Sequence, residues 1–232
     1  MKSRRLPSHG GFEAIFFDLD GTLVDTAPDM IAVLHRMQHH HRQQTLPYKL
    51  ARMNVSNGAI GLLRLAFPQA GESELGALHA EYLEHYSEAV CVESALFPPL
   101  PDLLHTLNCN DRSWGIVTNK PGRLTDPLVE KLGISDAAVC VISGDTLEER
   151  KPHPAPLLHA AEVTGVAPVK AIYVGDAERD IEAGRAAGMA TIAVGYGYIP
   201  EEDDPRSWGA DEFAADTIAL RELLLRAVDV ES

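Results

Sequence analysis

Hydrophobic positions along this chain fall into two textures. Between about residues 27 and 96 they recur at helical spacing; elsewhere they come in short apolar runs that end in polar or glycine residues. The first run, Ala14–Phe17, leads into Asp18-Leu19-Asp20-Gly21-Thr22. An apolar run without alternation predicts a strand buried on both faces, as in a parallel sheet. After Thr26 the spacing changes: Pro28 and Asp29 suit a first helical turn, and Met30, Ile31, Val33, Leu34 and Met37 form an apolar stripe. Helical patterns continue over 58–67 and 73–90 with no strand read between them. Residues 27–96 therefore read as an all-helical insertion, closed by Pro98, Pro99 and Pro101.

Beyond the prolines, helices and strands alternate. Helices are expected at 102–107, 124–132, 155–164 and 180–187, and strands at 114–118, 138–143, 170–174 and 191–194. This alternation predicts an α/β fold with a doubly wound parallel sheet. The expected organisation is a mobile tail over 1–13, an α/β core from 14–26 and 97–232, and a helical domain over 27–96.

Charge narrows the class of partner. The 232 residues carry 34 acidic against 20 basic side chains, a net charge of −14, which argues against nucleic acid. No apolar stretch approaches the roughly 18–20 residues of a membrane span. The start, MKSRRLPSHGGFE, is basic without the apolar segment of a signal peptide. Cys91, Cys109 and Cys140 are odd in number and lack metal-ligand spacing, which fits inert thiols in a reducing cytoplasm.

The chemistry gathers where strands end. Residues i and i+2 of a strand point the same way, so Asp18 and Asp20 share one side of its exit. Two such charges repel by about 4 kcal/mol at ~4 Å and an effective dielectric near ~20, which favours a shared proton or a bound cation. Gly21 permits a tight turn, and Thr22 adds a hydroxyl and an N–H. Ligands of doubly wound sheets sit beyond the carboxyl ends of the strands. Thr118-Asn119, Lys151 and Gly175-Asp176 before Asp180 all fall there. Singly, each has a plainer role: a turn former, a strand threonine, a surface lysine, a helix cap.

Taken in order, this set resembles the haloacid-dehalogenase superfamily of phosphohydrolases. DLDGT at 18–22, Thr118, Lys151 in KPHP and GDAERD at 175–180 match its four motifs over nearly the whole chain. The resemblance implies an enzyme, an Mg²⁺-dependent phosphomonoesterase. Asp18 would be the nucleophile that forms an aspartyl-phosphate, and Asp20 the acid and then the base. Asp18, Asp176 and the carbonyl of Asp20 would hold Mg²⁺, with Asp180 bound directly or through water. Thr118, Lys151 and the Asn119 N–H would hold the phosphoryl oxygens, with Thr22 beside them. Asp20 argues against a dehalogenase, where halide departure needs no acid. A sugar phosphomutase and a non-catalytic phosphate-binding protein remain as alternatives.

The helical insertion lies where this family places a cap. Ser56-Asn57-Gly58, a polar turn before a helix, is the candidate reader of the substrate. Arg52 and Arg64 are possible anion contacts and otherwise exposed charges, and Arg179 reads as a solvated charge. His35 and His39, spaced i, i+4 within a run that includes His40 and His41, could bind a transition metal, although a solvated helix end is the plainer reading. WGIVTNKPGRLTDPLVEKLG at 114–133 and YGYIPEEDDPRSWGAD at 196–211 resemble the phosphoglycolate phosphatase group and look closest to its branch that removes phosphate from N-acetylmuramic acid 6-phosphate. The resemblance implies a phosphoglycolate phosphatase-like enzyme, with that branch as the alternative. The second stretch also reads as an acidic loop anchored by Tyr198 and Trp208. The expected partner is a small phosphorylated metabolite, and the expected assembly a monomer or homodimer.

Overall fold

The computed structural model describes residues 11–230. Its strands are β1 (Ala14–Phe17), β2 (Val24–Asp25), β3 (Ala95–Leu96), β4 (Ser113–Val117), β5 (Val141–Ile142), β6 (Ala171–Gly175), β7 (Ala190–Val194) and β8 (Glu212–Ala214). Its helices are α1 (Ala27–His40), α2 (Tyr48–Met53), α3 (Gly58–Ala66), α4 (Glu72–Glu88), α5 (Leu100–Cys109), α6 (Gly122–Lys131), α7 (Ala155–Thr164), α8 (Glu178–Ala186) and α9 (Thr217–Ala227). Six strands form one parallel sheet in the order β5-β4-β1-β6-β7-β8. No helix among the described residues is long and apolar enough to cross a membrane.

The unalternated run Ala14–Phe17 has its explanation in β1, which is central and covered on both sides. Ile15 and Phe17 join the core shared with α5, α6 and α9, while Ala14 and Phe16 face the cluster of Leu157, Ala160 and Ala183 from α7 and α8. Helices α1 to α4 stand between β2 and β3, which pair antiparallel, Val24 with Leu96 and Asp25 with Ala95. This short ladder brings the two ends of the helical segment together. Beside it, the buried Asp29 carboxylate accepts the N–H groups of Val92, Glu93 and Ser94 and the Ser94 hydroxyl. Four donors on one carboxylate satisfy a turn that would otherwise bury unpaired amides.

Several expectations need correction. Of the expected tail, residues 1–10 lie outside the described part, while Phe12 is buried and the Glu13 N–H donates to Lys170 O at 2.8 Å. The strand expected over 138–143 is only Val141–Ile142, because it lies at the sheet edge and pairs with β4 alone. The block 27–96 is not purely helical, since β3 occupies 95–96. Helices α2 and α9 and strand β8 were not expected. The stretch 196–211 is a loop anchored by buried Tyr198 and Trp208, as read.

Candidate active site

Because β4, β1 and β6 are adjacent and parallel, their carboxyl ends open on one side. Asp18 follows β1, Thr118 follows β4 and Asp176 follows β6. Gly21 turns the chain back with φ of +86°, and a Cβ there would overlap the Asp176 carboxylate. Glycine is needed on both counts.

The floor of the site is a buried acid cluster. Carboxylate oxygens of Asp18, Asp176 and Asp180 lie within 4.8 Å of one another. Lys151 Nζ donates to Asp18 Oδ1 at 2.8 Å and to the Tyr173 hydroxyl at 2.6 Å. That hydroxyl donates onward to Val117 O at 2.7 Å, fixing the ammonium from below. The ammonium also approaches Asp180 Oδ1 at 2.7 Å, but without the alignment of a hydrogen bond, so this buried oxygen has no directed donor. Asp180 Oδ2 accepts the Ala177 N–H at 3.1 Å. Asp176 Oδ2 accepts from the Tyr198 N–H at 2.8 Å and the Ser56 hydroxyl at 2.9 Å.

Charge does not balance here. Burial pulls Lys151 down, but Asp18 and Asp180 outweigh it and leave its ammonium above the ordinary value. Burial, then the charges of Asp18 and Asp180, push Asp176 from 3.8 up to about 7. Burial raises Asp180 as well, against the pull of Lys151. Clustered oxygens with excess negative charge and one undirected oxygen form a donor set suited to a hard divalent cation.

A pH dependence follows. A carboxyl held above its unfolded pKa keeps in the folded state a proton that the unfolded chain has lost. That favours folding less and less as pH rises from about 4 through about 7. In EDTA, Tm is expected to fall between about pH 5 and about pH 8, and saturating Mg²⁺ should flatten that fall. A metal-free Tm that rises over this window would contradict the assignment.

Above the floor lies a cavity of about 490 Å³, which Asp18, Asp20, Thr118, Asn119 and Lys151 line from the sheet. Ser56, Asn57 and Gly58 line it from the helical segment. The sequence candidates therefore converge, with one exception. Thr22, expected beside the substrate, is fully buried away from the cavity; its hydroxyl faces Asp176 Oδ1 at 3.4 Å and its carbonyl accepts from the Tyr196 hydroxyl. The Gly21 turn carries it there. The Asn119 side chain clasps the Lys151 backbone, donating to its O at 2.9 Å and accepting from its N–H at 3.1 Å. It thereby ties the ends of β4 and the Lys151 loop.

Three charged groups differ from the sequence reading. Arg179 is not simply solvated: it is half-buried, lines the cavity and donates to Ser56 O at 2.8 Å. Arg52 pairs with Asp25 at 2.8 Å and lies over the Tyr198 ring, whose hydroxyl donates to the same carboxylate. Lys120, which sequence reasoning missed, is buried with Nζ 3.0 Å from Asp20 Oδ1. Its only sequence signal is its place two residues past Thr118, beyond the carboxyl end of a strand, where ligands of doubly wound sheets bind. Arg64 remains exposed beside Glu72. His35 is turned inward, its Nε2 buried without a hydrogen-bond partner, while His41 Nε2 meets Glu81 Oε2 of α4 at 2.9 Å beside His40.

This arrangement agrees with what the chain is similar to. Residues 15–194 match the family model described as haloacid dehalogenase-like hydrolase. An N-acetylmuramic acid 6-phosphate phosphatase of Pseudomonas putida is 39% identical over 212 residues, 91% of this chain and 95% of its own. A phosphoglycolate phosphatase of Xylella fastidiosa is 42% identical over 197 residues, 85% of this chain and 86% of its own. The crystal structure of a predicted phosphoglycolate phosphatase from Haemophilus somnus superposes with a TM-score of 0.82 at 28% identity, covering 92% of this chain and 98% of that one. The chain belongs to the haloacid dehalogenase-like hydrolase family. Within it, the chain is an enzyme of the phosphatase type.

Proposed function

We propose that this protein is an Mg²⁺-dependent phosphomonoesterase that forms an aspartyl-phosphate, acting on a sugar phosphate of the N-acetylmuramic acid 6-phosphate kind. The observation that carries the choice of substrate is the 490 Å³ cavity. Cavities of roughly 300–1,000 Å³ enclose ligands of drug-like size. The two carbons of glycolate and a phosphate would occupy a small part of it. Its walls combine apolar Val55, Ile60, Leu83 and Tyr86 with the cations Arg150 and Arg179. That mixture suits a sugar bearing an acetamido methyl group and a carboxylate. The phosphoglycolate reading is the second one, supported by the 42% identity to the Xylella fastidiosa enzyme of that name.

In the proposed reaction a carboxylate oxygen of Asp18 attacks phosphorus. The ester P–O bond breaks, its electron pair goes to the ester oxygen, and Asp20 delivers a proton there. Asp20 then takes a proton from water as that oxygen attacks phosphorus, releasing inorganic phosphate and regenerating the Asp18 carboxylate. Lys151 holds Asp18 in place and offsets charge on the phosphoryl oxygens, which Thr118 and Asn119 help to hold. Asp18, Asp176 and the Asp20 carbonyl would hold Mg²⁺, with Asp180 directly or through water; when bound, the ion supplies positive charge for those same oxygens. Helices α1 to α4 act as a cap, closed on the core by Ser56 on Asp176, Arg179 on Ser56 and Arg52 on Asp25. Free thiols at Cys91, Cys109 and Cys140 support work in the cytoplasm.

The deciding measurement is kcat/KM for N-acetylmuramic acid 6-phosphate beside 2-phosphoglycolate, each with Mg²⁺. A preference of at least about 10²-fold for the sugar phosphate is expected, the scale of about 3 kcal/mol of added contacts. A preference for phosphoglycolate would reverse the assignment of substrate and leave the chemistry standing.

A further inference from the structure

We propose that Lys120 is a positioning residue for proton transfer: it fixes the Asp20 carboxyl through one oxygen so that the other faces the ester oxygen, and its hold depends on helix α4 being docked. The inference rests on the reading of Asp20 as the proton donor.

The geometry is that of a buried cation shared between two parts of the molecule. Lys120 Nζ donates to Asp20 Oδ1 at 3.0 Å and to the Tyr86 hydroxyl at 3.1 Å, and lies 4.6 Å from the Tyr86 ring centroid. Lys120 is 8% exposed and lines the cavity. Its backbone is fixed at both ends: its N–H donates to Thr118 Oγ1, and its carbonyl accepts from the Gly144 N–H and the Thr125 hydroxyl. Tyr86 belongs to α4 and is itself buried. The ammonium is therefore held between the end of β4 and the helical segment.

On Asp20 the effect falls on one atom. Oδ1 accepts from Lys120 and also from the Thr26 hydroxyl at 2.6 Å. Among the described residues no donor reaches Oδ2. A carboxyl pinned by two donors on one oxygen cannot pivot about its Cβ–Cγ bond, and its other oxygen keeps a fixed direction at the cavity wall. An acid group gains most from such alignment when the proton must reach one particular atom. If α4 swung away, Lys120 would lose its Tyr86 hydrogen bond and the ring beneath it, and Asp20 would lose one of its two restraints. The arrangement would link proton donation to closure over a bound substrate.

A change of leaving group tests this. Breaking the P–O bond of a sugar phosphate leaves an alkoxide that needs the proton from Asp20, whereas p-nitrophenolate departs without one. In the full chain with Mg²⁺, Lys120→Met is expected to lower kcat/KM, which covers only the steps through P–O cleavage and not the shared hydrolysis of the aspartyl-phosphate, by about 10²-fold on a sugar 6-phosphate and by less than about 3-fold on p-nitrophenyl phosphate. Lys120→Arg should recover part of the loss. Tyr86→Phe, which keeps the ring and removes the hydroxyl, should show the same bias at about 3- to 10-fold. Equal losses of kcat/KM on both esters, or an unchanged single-turnover rate of P–O cleavage at saturating sugar phosphate, would overturn the inference in favour of a structural or substrate-binding lysine. If Lys120→Met loses its cooperative melt, Tyr86→Phe decides, and absence of bias there overturns the inference as well. Asp20→Asn separates the two levels. Bias in Asp20→Asn without bias in Lys120→Met rejects only the inference; no bias in Asp20→Asn rejects the acid role itself.

Discussion

Asp18→Asn is expected to abolish turnover, by at least about 10⁴-fold in kcat, while leaving the protein folded. An amide of the same shape fills the same buried position but cannot form the phospho-enzyme bond. The fold should survive because the cluster already carries excess negative charge. Removing one charge relieves Asp176, whose raised pKa owes more to Asp18 than to Asp180 after burial. Lys151 keeps Asp180 as a partner. A thermal melt beside a phosphate-release assay measures both, and full activity in the variant would rule out the covalent route.

Lys151→Met is expected to cost both activity and stability. Its side chain is of similar length, so the change removes a charge rather than opening a large cavity. Asp18 and Asp180 would then be buried without their shared cation, a loss of the order of 3–5 kcal/mol for breaking such a group. The sign with pH is fixed by linkage. Without the ammonium, which pulls it down, the Asp180 carboxyl rises further above its unfolded value, so the penalty is small near about pH 4 and grows as pH increases. Urea unfolding in EDTA at about pH 5 and pH 8 should show the larger deficit at the higher pH. Activity should fall about 10³-fold, as when a preorganised donor to a developing charge is lost. A variant as stable and active as the parent would mean that Lys151 neither balances the cluster nor meets the phosphoryl group.

Comparison of pattern with structure shows where local information ends. Strand β1 and helix α7 occupy the residues that apolar spacing predicts, Ala14–Phe17 and Ala155–Thr164. Their residues are buried by a face wide enough to set the period of the sequence. Strands β2, β3, β5 and β8 have only two or three residues each, too few to show any period, and exist because a neighbour offers a ladder. Thr22 was misjudged for a related reason. The sequence places it beside Asp20, but the positive φ of Gly21 decides which way it faces.

The sequence by itself determined the chemistry on offer: two aspartates flanking one leucine at a strand exit, and a threonine, a lysine and two further aspartates at later element ends. Residue type and position along a strand or at its end are local properties, legible without a fold. Only the tertiary structure decided which of these groups act on one another. Lys151 reaches Asp18 across 133 positions, and Lys120 reaches Asp20 across 100. Such pairs arise because β4, β1 and β6 end side by side, with a helical segment folded over them. Nothing in the spacing around Lys120 points to Tyr86, and nothing around Arg179 points to Ser56. Buried charges take their function from the partners that the fold supplies, because in a low dielectric an ion's energy is set by its immediate neighbours.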